Sequence, residues 1–345
     1  MARSLWAGET QDALEARLWL AAHLLMGIEP LILYVPGLRP KPAPAVHRNE
    51  LLRCMLAGIS RIDSEVAAQI RETDRSFDVI GWTFDFYGEH RDVELDRSGI
   101  EEVLRQREAS PRDIAEAGTL KRRTVRWLYR AAEHLPFLIP QVADENMQLH
   151  LRDLRRYVTN DADIANATRR LLKMPLRAAW KSGRPILVVG HSMGSVIAYD
   201  TLWEMSRETG DEVRVDLLTL GSPLGQRYIQ RRLNGHDATG ARRYPANIRR
   251  WANIAAVGEM TAIDMAVRDD FGEMATLGLT EDIRDIEVYN YFRFHGVLNV
   301  HSEYGYLVNV ATATEIRNWW REVTAPGIHA GAALAEQTTR DRDSA

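Results

Sequence analysis

The sequence predicts an α/β fold with a mostly parallel central sheet and helices on both faces. Short, almost uniformly apolar runs recur along the chain, and segments whose apolar residues have helical spacing separate them. Strands of a parallel sheet that is covered on both faces have such uniformly apolar sequences. Sheets of this kind place their active sites at the carboxyl ends of the strands, so function is expected in the turns that follow the apolar runs.

The composition is that of a globular protein with a sizeable core. Of its 345 residues, 45% are hydrophobic and 27% are charged, and the net charge of -4 gives no reason to expect a nucleic-acid partner. Cys54 is the only cysteine, which is typical of a reducing compartment. No run approaches the roughly 20 apolar residues that span a bilayer, and the N-terminus does not resemble a signal peptide. We expect a cytoplasmic protein without a transmembrane segment; peripheral membrane contact and the oligomeric state stay open.

The predicted elements alternate along the chain, and Gly or Pro ends several of the strands. The predicted strands cover residues 31–35, 77–82, 186–189, 213–220, 251–257 and 287–292. The predicted helices cover residues 11–26, 51–70, 195–207 and 314–323.

The alternation is interrupted between residues 97 and 180, where the pattern is mostly helical. A plain crossover between two strands needs far fewer residues, so we interpret 97–180 as an inserted helical cap. The core would then consist of residues 1–96 and 181–324. The alternative is a helical subdomain that only packs against the core. Small and charged residues over 325–345 predict a disordered tail.

Ser192 stands between Gly190 and Gly194, directly after an apolar run and directly before a predicted helix. A nucleophilic serine in an α/β sheet occupies a tight turn between strand and helix, where these two glycines avoid clashes. The spacing alone is a weak signal, and the flanking strand and helix favour a nucleophile over an ordinary turn with a capping serine. We interpret the adjacent His191 as a packing or supporting residue.

A nucleophilic serine requires a histidine base and a carboxylate that orients the histidine. Both should follow the nucleophile in the chain, with the base in the loop after the last strand. His295 and His301 lie there, and we favour His301, which is farther into the loop and can reach back across the sheet; His295 is expected to pack. Glu259 and Asp264 both follow the run over 251–257, and Glu259 is preferred.

An oxyanion hole requires two N–H donors near the nucleophile. The residue after the nucleophile, Met193, supplies one, and the loop after the first strand should supply the other. Pro36 has no N–H, whereas Gly37 lets the backbone approach closely. This leaves the N–H of Leu38 as the preferred second donor.

These residues make the sequence resemble the α/β-hydrolase superfamily, in particular its lipase- and esterase-like members. The blocks GHSMGSVIAYDTL (190–202) and LLTLGSPLG (217–225) are similar to the nucleophile turn and next strand of cytosolic phospholipase-like and bacterial esterase-like hydrolases. The block HSEYGYL (301–307) resembles the histidine loop of those bacterial proteins. The resemblance implies Ser192 as nucleophile, His301 as base and an acid after the family's seventh strand. Relatives usually have aspartate where Glu259 stands, which keeps Asp264 under consideration.

The leading functional hypothesis is cleavage of a carboxylic ester, with a small-molecule acyl ester or lipid-like substrate, through an acyl-serine intermediate. One alternative is a thioesterase or acyltransferase with the same three residues. The other is a hydrolase-fold protein that binds a ligand without turnover, because a fold alone does not establish activity. No nucleotide-binding glycine motif follows a strand, and no zinc motif is present, so we expect neither cofactor nor metal.

Overall fold

A six-stranded, all-parallel sheet forms the centre of the protein. The computed structural model describes residues 29–73, 75–119, 145–209, 214–259 and 266–325. The strands are β1 (Leu31–Val35), β2 (Phe77–Val79), β3 (Ile186–His191), β4 (Val215–Leu220), β5 (Ile248–Ala256) and β6 (Asp282–Val288). They lie in the order β2-β1-β3-β4-β5-β6, and every neighbouring pair is parallel. The predicted α/β class with a parallel sheet is confirmed.

Helices cover both faces of this sheet. They are α1 (Pro44–Ser60), α2 (Ser64–Glu72), α3 (Trp82–Tyr87), α4 (Glu94–Arg105), α5 (Pro111–Ala117), α6 (Glu145–Val158), α7 (Ile164–Lys181), α8 (Met193–Thr209), α9 (Arg227–Gln230), α10 (Val267–Phe271), α11 (Glu273–Thr276), α12 (Glu303–Leu307) and α13 (Val310–Val323). A small antiparallel hairpin of β7 (Arg293–Phe294) and β8 (Val297–Leu298) precedes α12. Within the described ranges, no helix combines the length and the apolar character needed to cross a bilayer.

Successive side chains of a strand point to opposite faces, so the sheet separates two apolar cores. Ile32 and Tyr34 of β1 pack into one core together with side chains of α1, α2 and α13. Leu33 and Val35 pack into the other core with side chains of α7 and α8. All five residues of β1 are buried, which explains why its sequence is apolar throughout instead of alternating.

Several elements differ from their predicted bounds; the strand expected over 77–82, for example, ends at Val79, and Trp82 begins α3. The single helix expected over 51–70 is two helices. α1 ends at Ser60, and the Asp63 carboxylate accepts the Val66 N–H to cap a new helix, α2. In place of the strand expected over 287–292, β6 covers Asp282–Val288; it is an edge strand whose exposed side carries polar residues, so its first residues show no apolar run. α7 lies inside the segment interpreted as a cap and packs beside α8 in the second core, and the division into cap and core stays a prediction.

Several predictions fall on residues outside the described ranges. These are the helix over 11–26, the part of the cap over 120–144, and the tail over 326–345.

Candidate active site at the carboxyl edge of the sheet

Ser192 occupies the sharp turn between β3 and α8. Its φ angle is +52°, a conformation that costs a residue with a side chain on the order of 1–3 kcal/mol. A Cβ on Gly190 would lie 2.6 Å from the Ser195 Cα, and a Cβ on Gly194 would overlap the Val35 carbonyl oxygen. Only glycine fits at these two positions, so the spacing seen in the sequence has a steric cause.

Hydrogen bonds hold this strained turn in place. The Ser192 N–H donates to the Leu220 carbonyl at the end of β4, at 2.9 Å. The Ser192 carbonyl accepts from the N–H of Ser195 at 3.0 Å and from its hydroxyl at 2.5 Å. The Ser195 hydroxyl also lies 2.7 Å from the Ser222 hydroxyl, which follows β4. The position of Ser192 is therefore determined by both β3 and β4.

Glu259 holds the imidazole of His301. The Nδ1 atom of His301 lies 2.9 Å from Oε2 of Glu259, and Glu259 is only 1% exposed to solvent. The Tyr306 hydroxyl donates to the same oxygen at 3.0 Å and accepts the Ala256 N–H at 2.9 Å. Burial and the neighbouring Glu259 raise the pKa of Tyr306 well above its ordinary value, so this hydroxyl stays protonated.

Of the residues weighed as acid, the structure thus brings Glu259 to the histidine, whereas Asp264 lies outside the described residues. His295 lies in the turn between β7 and β8 with an exposed side chain, and its ring contacts the neighbouring Phe294 ring. The prediction that His295 packs is wrong: the two-residue turn needs positive φ at His295 and Gly296, which places both at the exposed tip of the hairpin.

The His301 ring lies above the end of β4, the strand beside the one that leads to Ser192. A Cβ on Gly221, the first residue after β4, would lie 3.1 Å from its Nδ1 atom. Within the described residues, the Ser192 hydroxyl is not hydrogen-bonded to the His301 ring. Catalytic hydrogen bonds are often long in unliganded sites, so this contact stays a prediction that requires a substrate or inhibitor complex.

The loop after β1 lies directly against the serine. A Cβ on Gly37 would lie 2.8 Å from the Ser192 Cβ, so a side chain at position 37 would clash and only glycine fits here without a shift. Among the described residues, the N–H groups of Leu38 and Met193 form no hydrogen bond. Both N–H groups belong to segments that meet at Ser192, as an oxyanion hole requires.

Side chains from α3 and α6 fix this loop. The Trp82 indole N–H donates to the Pro36 carbonyl at 2.9 Å. The Tyr87 hydroxyl accepts the Arg39 N–H at 2.9 Å and donates to Asp153 at 3.0 Å. Arg39 has a φ angle of +82°, so the chain turns sharply directly after Leu38. The two hydrogen bonds stabilise the backbone on either side of the predicted oxyanion donor.

A second buried polar cluster, centred on Glu303, adjoins the site. Its side chains come from β1, the following loop, α1, the end of β3 and α12: Tyr34, Lys41, His47, His191 and Glu303. Burial would raise the pKa of the Glu303 carboxyl, but the contacts with Lys41 and His47 outweigh burial and hold this pKa well below its ordinary value. Sequence reasoning missed this cluster, because its members lie far apart in the chain; His191 and Glu303 belong to the blocks quoted above, but nothing in either block indicates that they meet.

His191 links the cluster to the histidine loop. Its Nε2 lies 2.9 Å from the His301 carbonyl oxygen, and the two rings lie 4.8 Å apart. Burial and the nearby His301 lower the pKa of His191 to about 3. His191 is therefore neutral at ordinary pH and donates its Nε2–H to that carbonyl, which gives the predicted packing residue a definite polar contact.

Within the described ranges, no three His, Cys, Asp or Glu side chains are arranged to hold a metal ion. Comparison of the chain with protein-family models, curated proteins and solved structures finds no match.

Proposed function

We propose that this protein is a serine hydrolase of the α/β-hydrolase superfamily that cleaves carboxylic esters of acyl or lipid-like substrates. The observation that carries the proposal is the 2.9 Å contact between His301 Nδ1 and the buried Glu259 carboxylate. It lies at the sheet edge where Ser192 occupies a strained turn after a central strand. A buried carboxylate on the Nδ1 side of an imidazole fixes the ring's orientation and stabilises its protonated form, which is what the acid of a Ser-His-acid triad does.

The proposed reaction begins with attack of Ser192 Oγ on the ester carbonyl carbon while Nε2 of His301 takes the hydroxyl proton. Glu259 stabilises the resulting imidazolium through Nδ1–H, and Tyr306 keeps the carboxylate oriented. The N–H groups of Leu38 and Met193 stabilise the negative oxygen of the tetrahedral intermediate. When the intermediate collapses, the C–O bond to the alcohol breaks and the imidazolium returns its proton to the departing oxygen.

A water molecule then completes the cycle. His301 takes a proton from the water, whose oxygen attacks the acyl carbon. The second tetrahedral intermediate expels the Ser192 oxygen, which recovers its proton from the imidazolium. The products are a carboxylic acid and an alcohol. An alcohol acceptor in place of water would give acyl transfer, and a thiol leaving group would give thioester cleavage, with the same residues in the same roles.

Labelling with a fluorophosphonate tests the proposal. Wild-type protein should be labelled once, at Ser192, and Ser192→Ala should not be labelled. Ser206→Ala is the matched control, because Ser206 is a buried serine on α8, the helix that follows Ser192, and its hydroxyl contacts only neighbouring residues. A folded wild-type protein that resists the label, and hydrolyses no ester, would instead be a binding protein with this fold.

Acyl esters of graded chain length, tested beside the matching thioesters and with an added alcohol, then define the reaction. Preference for esters in water supports the proposed activity, whereas preference for thioesters or for the added alcohol assigns one of the two related reactions. A cytoplasmic location stays a prediction.

A further inference from the structure

We propose that Glu303 and Lys41 are positioning residues of this site: their largely buried ion pair sets the loop that carries His301 against the loop that carries Leu38. The inference rests on the proposed hydrolase function. It concerns residues that neither attack the substrate nor move a proton.

The two residues lie at corresponding points of the two loops. Lys41 follows the loop after β1 and lies three residues beyond Leu38, and Glu303 begins α12, two residues beyond His301. The Lys41 Nζ lies 2.9 Å from Glu303 Oε1, and the two side chains are only 14% and 6% exposed. One short contact therefore joins the base loop to the oxyanion loop inside the protein.

Two further donors make Glu303 the common anchor of the surrounding elements. His47 of α1 contacts Oε1 at 3.0 Å, and the Tyr34 hydroxyl of β1 donates to Oε2 at 3.2 Å. The Nδ1 atom of His191 lies 3.9 Å from the same Oε2, while its Nε2 holds the His301 carbonyl. Glu303 is thus bonded to α1 and β1 through its side chain and connected to the base loop by the chain itself.

Stability alone does not account for such a cluster. Burying a carboxylate and an ammonium group costs much of the energy that their attraction returns, and apolar residues of the same size often stabilise a protein as well or better. An ion pair does provide direction, since it is strong only in one arrangement of both groups. Two loops that must meet within a fraction of an ångström at a reacting carbonyl benefit from such an arrangement.

The charges around the two groups allow a test that a purely structural role would not pass. His301 is faced by Glu259, Tyr306 and His191, and Glu303 by Tyr34, Lys41, His47 and His191. Lys41→Met leaves an additional negative charge near the imidazole and favours its protonation. Glu303→Gln leaves an additional positive charge and disfavours its protonation. The acidic limb of the kcat/KM profile should therefore shift upward in the first variant and downward in the second, by about half a pH unit each.

The experiment measures kcat, KM and this pH profile on a short-chain nitrophenyl ester for the wild type, Lys41→Met, Glu303→Gln and the double variant. We expect each single variant to lower kcat about tenfold or more, with KM changed by no more than about twofold, because the loops lose alignment and not substrate contacts. The double variant should restore the wild-type acidic limb. Lys41→Arg, which keeps the charge, should recover much of kcat.

Asp216→Asn is the control. Asp216 is a buried carboxylate near the amino end of β4, where it pairs with Arg249 and Arg250, far from the carboxyl ends that carry the site. This variant should lose stability and keep kcat and the pH profile. Lys41 is the more exposed partner, so its two variants test the inference even if Glu303→Gln does not fold.

The outcomes separate the two proposals. If wild-type protein is labelled at Ser192 and hydrolyses the ester, but Lys41→Met keeps kcat within about twofold or leaves the acidic limb unmoved, the positioning role is wrong and the hydrolase function stands. If wild-type protein is neither labelled nor active, the hydrolase function fails and this inference fails with it.

Discussion

The Glu259 carboxylate lies 2.9 Å from Nδ1 of His301, and it is almost completely removed from solvent. A buried carboxylate needs partners that satisfy its charge, and here the imidazole and the Tyr306 hydroxyl share one of its oxygens. The histidine ring can rotate only by breaking that contact. Its orientation is therefore determined by a residue that follows the end of β5.

Replacing Glu259 should therefore affect catalysis more than binding. We expect Glu259→Gln to lower kcat by roughly 10²–10⁴-fold with little change in KM, because the amide neither fixes the tautomer nor stabilises the imidazolium. The control is Glu281→Gln. Glu281 is an exposed glutamate directly before β6, at the amino ends of the strands, and its replacement should leave kcat unchanged. Steady-state kinetics on one ester decides the matter. A fully active Glu259→Gln protein would remove Glu259 as the acid and direct attention to Asp264.

Close approach at Gly37 gives a second prediction. An alanine methyl group at this position would lie 2.8 Å from the Ser192 Cβ and 3.1 Å from the His191 Nδ1, so the loop must move away from the serine. We expect Gly37→Ala to slow fluorophosphonate labelling of Ser192 by about tenfold or more, since the Leu38 donor moves with the loop.

Gly118→Ala is the matched control for this substitution. Its new methyl group would lie 3.4 Å from the nearest atom, which is an ordinary contact distance, and labelling should keep its wild-type rate. Equal labelling rates in Gly37→Ala and wild-type protein would show that the loop after β1 contributes nothing to the reactivity of Ser192.

The strained turn at Ser192 depends on Ser195. Removing its hydroxyl leaves the Ser192 carbonyl with one hydrogen bond fewer and the Ser222 hydroxyl without this partner. We expect Ser195→Ala to lower the free energy of unfolding by about 1–2 kcal/mol and kcat by about tenfold. Ser206→Ala also removes a hydroxyl bonded to a backbone carbonyl of the same helix, at Trp203.

Urea unfolding and ester kinetics on both serine variants separate the two effects. A similar loss of stability in both, with kcat reduced in Ser195→Ala alone, supports a role of Ser195 at the turn. A wild-type kcat in Ser195→Ala contradicts it.

The low pKa of His191 predicts how the free energy of unfolding changes in acid. Its pKa in the folded chain is about 3, against an ordinary value of 6.5. Below pH 6.5 the unfolded chain binds a proton that the folded chain does not. This group therefore stabilises the fold fully above pH 6.5, and its contribution falls by about 1.4 kcal/mol per pH unit as the pH is lowered toward 3.

His191→Gln tests this contribution, because glutamine can donate to the His301 carbonyl and does not titrate. Between pH 6 and pH 4, the free energy of unfolding of the variant should fall less steeply than that of the wild type, by about 1.4 kcal/mol per pH unit. Urea unfolding over this pH range measures both slopes. Parallel slopes would mean that His191 takes up a proton in the folded chain.

The sequence was sufficient for the parts of this structure that depend on local pattern. The apolar runs predicted the interior strands, because a strand buried on both faces has no polar side to interrupt the pattern. Gly190 and Gly194 predicted the turn at Ser192, because a side chain at either position would clash with nearby backbone atoms. The same reasoning did not predict the bounds of the edge strand β6, because several of its side chains face solvent and are polar.

Long-range polar contacts could not be predicted in this way. Lys41 and Glu303 have ordinary sequence surroundings, and nothing in either segment indicates that the two meet across 262 positions. Tyr87 is similar, since its role depends on where the Arg39 N–H points. Such contacts arise from the packing of whole elements, and a pattern of residue types carries no information about their distances.

Gly221 limits how this site can be redesigned. It lies beneath the imidazole with a φ angle of +55°, and any side chain there would meet the His301 ring and the Tyr306 hydroxyl. A library intended to broaden substrate range should therefore keep the residue after β4 invariant, however close it lies to the reacting group. For the proposed hydrolase, diversity belongs on side chains that would face the acyl group of the substrate, where a substitution alters the fit of a ligand and leaves the backbone beneath the imidazole intact.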